Sequence, residues 1–162
     1  MKKFLALLLC FTTFLGSCGR NAADFLAYQD KKFRAEIRAS GDRSFGGVFT
    51  KDGDGVSFTF SSPDGMSGII ARREGEKATV TLDGVTVADK NVCDAFLSFE
   101  KIFALDGDIL SVERATDAAR GRVIVVRLLC GGKNYTVSLA ASRPFRITFD
   151  GTTVDIVWME FL

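Results

Sequence analysis

The chain has 162 residues, 47% of them hydrophobic, and carries 21 basic against 20 acidic side chains. That near-neutral balance argues against nucleic acid as a partner, which calls for a clearly basic face, and the apolar fraction excludes a globally disordered chain. Histidine is absent, which excludes Ser-His-Asp and Cys-His catalysis and every histidine-dependent metal site.

Met1-Lys2-Lys3 forms a positive start, and Phe4 to Leu15 is an uncharged apolar run. The run is too short to span a bilayer, which takes roughly 20 apolar residues, and has the layout of an export signal. It closes on Leu15-Gly16-Ser17-Cys18. This tetrad resembles the lipobox of bacterial lipoproteins: an aliphatic residue, two small residues for a narrow peptidase site, then the cysteine whose sulfur takes the diacylglyceryl group. The resemblance implies removal of residues 1–17, lipidation of Cys18 and a position outside the cytoplasm. Two or more fatty chains hold a protein stably on a membrane. Gly19 follows the cysteine where an inner-membrane retention signal would place aspartate, so a cell with two membranes would carry the protein on its outer one. Residues 18–23 are then a short tether and 24–162 a single domain. Removing Lys2 and Lys3 from the 21 basic residues leaves 19 against 20 acidic ones in the mature chain.

Asn21 or Asp24 can cap a short helix through residues 24–29. From Phe33 the pattern alternates: Phe33, Ala35 and Ile37 against Arg34, Glu36 and Arg38. Further alternating runs start at Phe45, Val56, Ile69 and Ala78. Ser40-Gly41-Asp42, Asp52-Gly53-Asp54-Gly55, Ser62-Pro63-Asp64-Gly65 and Glu74-Gly75-Glu76 supply turns between them. Five short strands so spaced predict an antiparallel meander. Over residues 91–105 the period changes. Val92, Phe96, Phe99 and Phe103, with Leu97 and Ile102 alongside, predict one helix capped by Asn91 and stopped by Asp106-Gly107. Strands resume at 109–112, 123–126, 135–139, 145–149 and 154–161. The fold class expected is mainly β (α+β): a curved antiparallel sheet or half-barrel of about nine to ten strands, with one main helix (about 91–105) packed on it and a short N-terminal helix.

Asp52-Gly53-Asp54-Gly55 begins like a calcium loop but has Pro63 where the twelfth-position glutamate belongs, so it is read as a turn, as is Asp106-Gly107-Asp108. Glu74 and Glu76 flank a turn glycine and lack the cleft that an acid/base pair requires. No catalytic residue, metal site or cofactor is therefore assigned. Cys93 and Cys130 are a candidate disulfide in an oxidising compartment, the alternative being two buried thiols. Lys31, Lys32 and Arg34 follow the tether and are candidates for contact with lipid headgroups, the alternative being a solvated turn. Three of the 15 phenylalanines (Phe4, Phe11, Phe14) lie in the leader, leaving 12 in the domain. Phe58, Phe60, Phe96, Phe99 and Phe103 are candidates to line an apolar ligand cavity on the concave face, or else to fill it as an ordinary core.

Residues 33–82 run through Phe33-Arg34-Ala35-Glu36, an alternating Phe strand, Phe60-Ser61-Ser62-Pro63, and strands ending near Leu82-Asp83-Gly84. With the anchor and the intervening helix, this resembles the lipoprotein-carrier-like superfamily of LolA, LolB and LppX. The resemblance implies a half-barrel whose apolar concave face carries a lipid or acyl chain, with no enzymatic activity. The other function the residues allow is a filled β domain that presents a surface to an envelope protein.

Overall fold

A computed structural model describes residues 22–41, 44–53 and 55–162 of the chain. Cys18 and the leader therefore lie outside the described residues.

Eleven strands form one antiparallel sheet: β1 (Phe33–Ser40), β2 (Phe45–Asp52), β3 (Gly55–Ser62), β4 (Ile70–Glu74), β5 (Lys77–Leu82), β6 (Val85–Val87), β7 (Asp108–Asp117), β8 (Gly121–Cys130), β9 (Lys133–Ala140), β10 (Arg143–Phe149) and β11 (Thr152–Phe161). Their spatial order is β6-β5-β4-β3-β2-β1-β11-β10-β9-β8-β7. Two meanders thus join where the first strand meets the last. Ala35 pairs with Met159, and Ile37 with Ile156, across that seam. The edges are β6 and β7, and the segment between them in sequence crosses the concave face. This is the curved antiparallel sheet expected, with eleven strands in place of nine or ten. The addition is β6, three exposed residues beyond the Asp83-Gly84 turn, and the strand expected at 109–112 is longer, continuing as β7 through Glu113 and Arg114 to Asp117. Both are too short or too charged to show an apolar alternation.

The alternation of β1 is realised residue by residue. Phe33, Ala35, Ile37 and Ala39 are buried, while Arg34 and Arg38 are exposed on the convex side. Registers carry the inner row across the sheet: Ala35 opposite Phe49, Phe49 opposite Phe58, Phe58 opposite Ala71, and Ala71 opposite Val80. Small residues, Ala35 and Ala71, flank the paired rings of Phe49 and Phe58 in this row, which leaves room for the rings beside them. Gly47 is required by this packing: a Cβ there would lie 2.8 Å from Phe58 Cζ and would strike the Thr59 carbonyl oxygen.

Helix α1 (Ala22–Asp30) winds as a 3-10 helix, and α2 (Lys90–Leu97) is a regular helix. The cap of α2 is Asp89, not Asn91: its carboxylate accepts hydrogen bonds from the Asn91 and Val92 amides at 3.0 and 3.1 Å. The single helix predicted over 91–105 is also corrected. After Leu97 the chain tightens into a 3-10 turn at Ser98–Phe103. The Ser98 hydroxyl donates to the Ala95 carbonyl there, the local competition that disfavours a continuing helix. Residues 90–103 rest on the β1–β5 half of the concave face. Phe103 packs on Phe33 and Phe49, and Phe96 meets Phe60 edge-on at 5.6 Å.

Candidate functional site on the concave face

The sheet has two ends. One collects the β2–β3, β4–β5, β7–β8 and β9–β10 turns, the start of β1 and the end of β11. The other collects the β1–β2, β3–β4, β5–β6, β8–β9 and β10–β11 turns. At this second end the concave face is open. A cavity of about 750 Å³ lies between the 98–106 segment and strands β8 to β11, with Phe45, Ile102, Tyr135, Phe149 and Val154 as its apolar walls. Tyr135 and Phe149 are register partners, and their rings stack at 5.1 Å. Ser98, Lys101, Asp106, Lys133 and Thr152 add polar groups to its lining. Lys133 is paired with Asp150 at 2.7 Å, and Lys101 has no ion-pair partner among the described residues. Burial raises the Tyr135 hydroxyl above its ordinary pKa, so it stays protonated as a hydrogen-bond donor at neutral pH.

The cavity exists because of how the connection returns to β7. The segment spends its rings on β1–β3 and then runs along the open end past Asp106. At Gly107 its backbone presses so closely on Leu129 and Cys130 that a Cβ would strike the Leu129 carbonyl. Helix α2 itself packs mainly on β4 and β5. A smaller cavity of about 260 Å³ adjoins it, sharing Phe45 and Ser98 and adding Phe60, Met66 and Phe96.

The five aromatic candidates separate accordingly. Phe58 and Phe103 are 0% and 1% exposed and belong to the packed core. Phe60 and Phe96 border the smaller cavity, and the Phe99 side chain lies outside the described residues. Apart from Phe45 and the crossing segment, the walls of the larger cavity come from the second meander. Alternation puts Tyr135 with Val137 and Leu139, Phe149 with Ile147, and Val154 with Ile156 on one face of each strand, but only the non-local strand order shows that this face stays uncovered.

The candidate disulfide is corrected: Cys93 and Cys130 are free thiols. Cys93 is buried on α2 and donates to the Val87 carbonyl at 3.7 Å, above β4 and β5. Cys130 ends β8 on the far side of the seam, where it lines the larger cavity. The basic residues after the tether are spread over different partners. Lys32 pairs with Asp52 at 2.7 Å, Lys31 sits 4.8 Å over the Phe161 ring, and Arg34 lies 5.9 Å from Trp158. Trp158 donates to Glu36 at 2.8 Å. Val157 and Trp158 both face outward because a bulge between Glu36 and Ile37 puts Val157 out of register.

No protein-family model matches the chain, and the search of curated proteins finds no match. Among solved structures, an uncharacterized conserved protein from Thermus thermophilus superposes with a TM-score of 0.58 at 12% identity, over 88% of this chain and 86% of that one. This is a likeness of fold alone. A LolA superfamily protein from Nitrosomonas europaea aligns over 89% of this chain and 94% of that one, with a TM-score of 0.47 at 14% identity. The lipoprotein LppX of Mycobacterium tuberculosis aligns over 88% and 94%, with a TM-score of 0.43 at 10% identity. Similarities this distant transfer no residue roles.

Proposed function

We propose that the chain is a non-enzymatic lipoprotein, anchored outside the cytoplasm through Cys18, that holds a lipid or other apolar ligand on its concave face. The observation that carries this reading is the cavity of about 750 Å³ at the open end of the sheet. Its size and its mainly apolar walls, with a few polar side chains among them, suit a lipid-like molecule. The other half of the same face is filled by Phe33, Phe49, Phe58 and Phe103, so the opening is confined to one place. The lipobox at residues 15–18 supports the anchor, and the resemblance of residues 33–82 to the lipoprotein-carrier-like superfamily supports the class of ligand. With two membranes the outer one is the expected site.

A second reading has its own observation. Leu110 and Val112 on the edge strand β7 are exposed, which suits docking of an envelope protein onto that edge.

The test is native mass spectrometry on the full chain, purified from the membrane in a mild detergent and released in the gas phase. A non-covalent mass in the lipid range is expected. It should be lost in Ala104→Trp, which fills the cavity from an exposed position and leaves the core intact. An empty protein in both cases, with cross-linking to one envelope protein through β7, overturns the carrier reading in favour of the second. The anchor is tested separately. Feeding cells an alkyne-tagged fatty acid should label the wild type and leave Cys18→Ser unlabelled.

A further inference from the structure

The opposite end of the concave face holds a second groove, of about 650 Å³, with a different chemistry. Its floor is Phe25 of α1, Ile124 and Leu139, and Arg114 of β7 and Arg122 of β8 stand over it. Arg114 is the register partner of Ile124, and Arg122 of Thr116. The two arginines are therefore diagonal neighbours on one face, roughly 7–8 Å apart at their origins, within reach of a common anion. Neither makes an ion pair or side-chain hydrogen bond among the described residues. The other described arginines all have partners. Five are in ion pairs, and three lie over aromatic rings.

The surroundings point to the occupant. At this same end Leu162 is 63% exposed, and the Phe161 ring carries Lys31 at 4.8 Å and Arg143 at 5.2 Å. Apolar tips among cations suit the headgroup zone of a bilayer. The described chain also begins here. Ala22 follows Cys18 by four residues, so α1 starts within about 15 Å of the anchoring sulfur's backbone.

We propose that this groove takes the phosphate of an anionic phospholipid from the bilayer that carries the anchor, with Arg114 and Arg122 on the phosphate and an acyl chain along Phe25, Ile124 and Leu139. A free phosphate ion would use the arginines and leave the apolar floor and Leu162 unexplained. Docked this way, the domain stands on the Phe33 end of its strands. The larger cavity then opens away from that bilayer, at a height of roughly 25–30 Å set by strands of eight to ten residues. It faces a soluble donor or an opposing membrane. The inference rests on the Cys18 anchor and not on what fills the larger cavity.

The experiment places the full lipidated chain in nanodiscs of phosphatidylcholine, alone or with about 30% phosphatidylglycerol. Each disc carries a nitroxide on a fraction of the choline headgroups. The single tryptophan is moved to the exposed C-terminus by Trp158→Phe with Leu162→Trp. Incorporation is scored first, by co-migration with the discs in high salt. Failure at that step sinks the anchor and is distinct from failure of the groove. Expected is roughly twofold stronger quenching in discs that contain phosphatidylglycerol. The gain should disappear in Arg114→Gln/Arg122→Gln and persist in Arg38→Gln, a convex-face variant. Melting curves check that the variants are folded. Equal quenching in both lipids overturns the proposal. So does loss of the gain on adding millimolar inorganic phosphate at constant ionic strength, which would make the groove a site for the free anion.

Discussion

The Phe103 ring stacks on Phe49 with centroids 4.6 Å apart and planes 21° from parallel, and it leans on Phe33 at 5.3 Å. These contacts fasten the end of the crossing segment to the seam side of the sheet. Beyond Phe103 the chain turns along the open end and forms one rim of the larger cavity. The stack therefore does two jobs: it closes the first half of the concave face and sets where the second half begins. Phe103→Ala removes a fully buried ring and leaves a void. It should cost about 3–5 kcal/mol, read as a lower denaturant midpoint with an unchanged slope. A loss under about 1 kcal/mol would mean that the segment is not held by this ring.

Gly47 offers a sharper test of the packing under α2. An added methyl lies 2.8 Å from Phe58 Cζ and also strikes the Thr59 carbonyl oxygen, which belongs to a strand that cannot yield. Gly47→Ala should cost about 1–3 kcal/mol by overpacking. Gly65→Ala is the matched control. No atom lies within 4 Å of its added Cβ, so its stability should be unchanged or slightly improved. Equal effects at the two sites would show that sheet register, not ring packing, governs the region.

Arg73 on β4 holds the crossing segment through two acids that titrate in opposite directions. Asp94 Oδ1 lies 3.0 Å from Arg73 Nη2, and Glu100 Oε2 lies 3.3 Å from Arg73 Nε. The hydrogen bond from Lys90 is the main cause that lowers the Asp94 pKa from 3.8, with Arg73 assisting. Burial raises the Glu100 pKa from 4.5, and Arg73 only partly offsets it. A lowered acid contributes stability above its unfolded pKa and loses it as pH falls through the folded value. A raised acid contributes stability that is full below pH 4.5 and is lost as pH rises through the folded value. Glu100→Gln should therefore flatten the decline of Tm between pH 4.5 and neutrality, and Asp94→Asn should flatten the fall below pH 3.8. Thermal melts across both windows check this. The idea fails if the two variants change the same limb of the curve.

Most of the meander could be read in the sequence because its signals are local. Asp-Gly and Gly-Gly pairs make the turns, and alternation such as Phe33-Ala35-Ile37 assigns faces without knowledge of neighbours. The helical stripe from Val92 to Phe103 also marked the face that meets the sheet. Its continuity misled, because Phe103 at i+11 from Val92 also fits a chain that tightens at Ser98. The β1–β11 seam, the β6 edge and the open half depend on contacts distant in sequence. Rings at Phe58 and Phe149 give the same pattern, yet one is buried against Phe45 and Phe60 and the other stands beside a cavity. Arg114 was hidden for a related reason: a charged inward residue on an edge strand looks the same in sequence as a solvated one.

Cys93 and Cys130 differ in environment enough to report on the cavity. Cys93 is 0% exposed and its sulfur donates to Val87, whereas Cys130 is half-buried on the cavity wall. With both thiols free, a small alkylating reagent should modify the peptide that contains Cys130 well before the one that contains Cys93, since access gates attack on a thiol. Mass spectrometry of each peptide keeps the cysteines at positions 10 and 18 out of the measurement. If the larger cavity holds the apolar ligand, protein isolated with its ligand should react at Cys130 roughly tenfold more slowly than delipidated protein, with Cys93 unchanged. Equal rates at Cys130 with and without ligand would place the ligand elsewhere. Recovery of a Cys93–Cys130 cross-linked peptide would contradict the separation of the two thiols across the seam. Ala104→Trp should slow alkylation of Cys130 even without ligand, because the added ring occupies the same space.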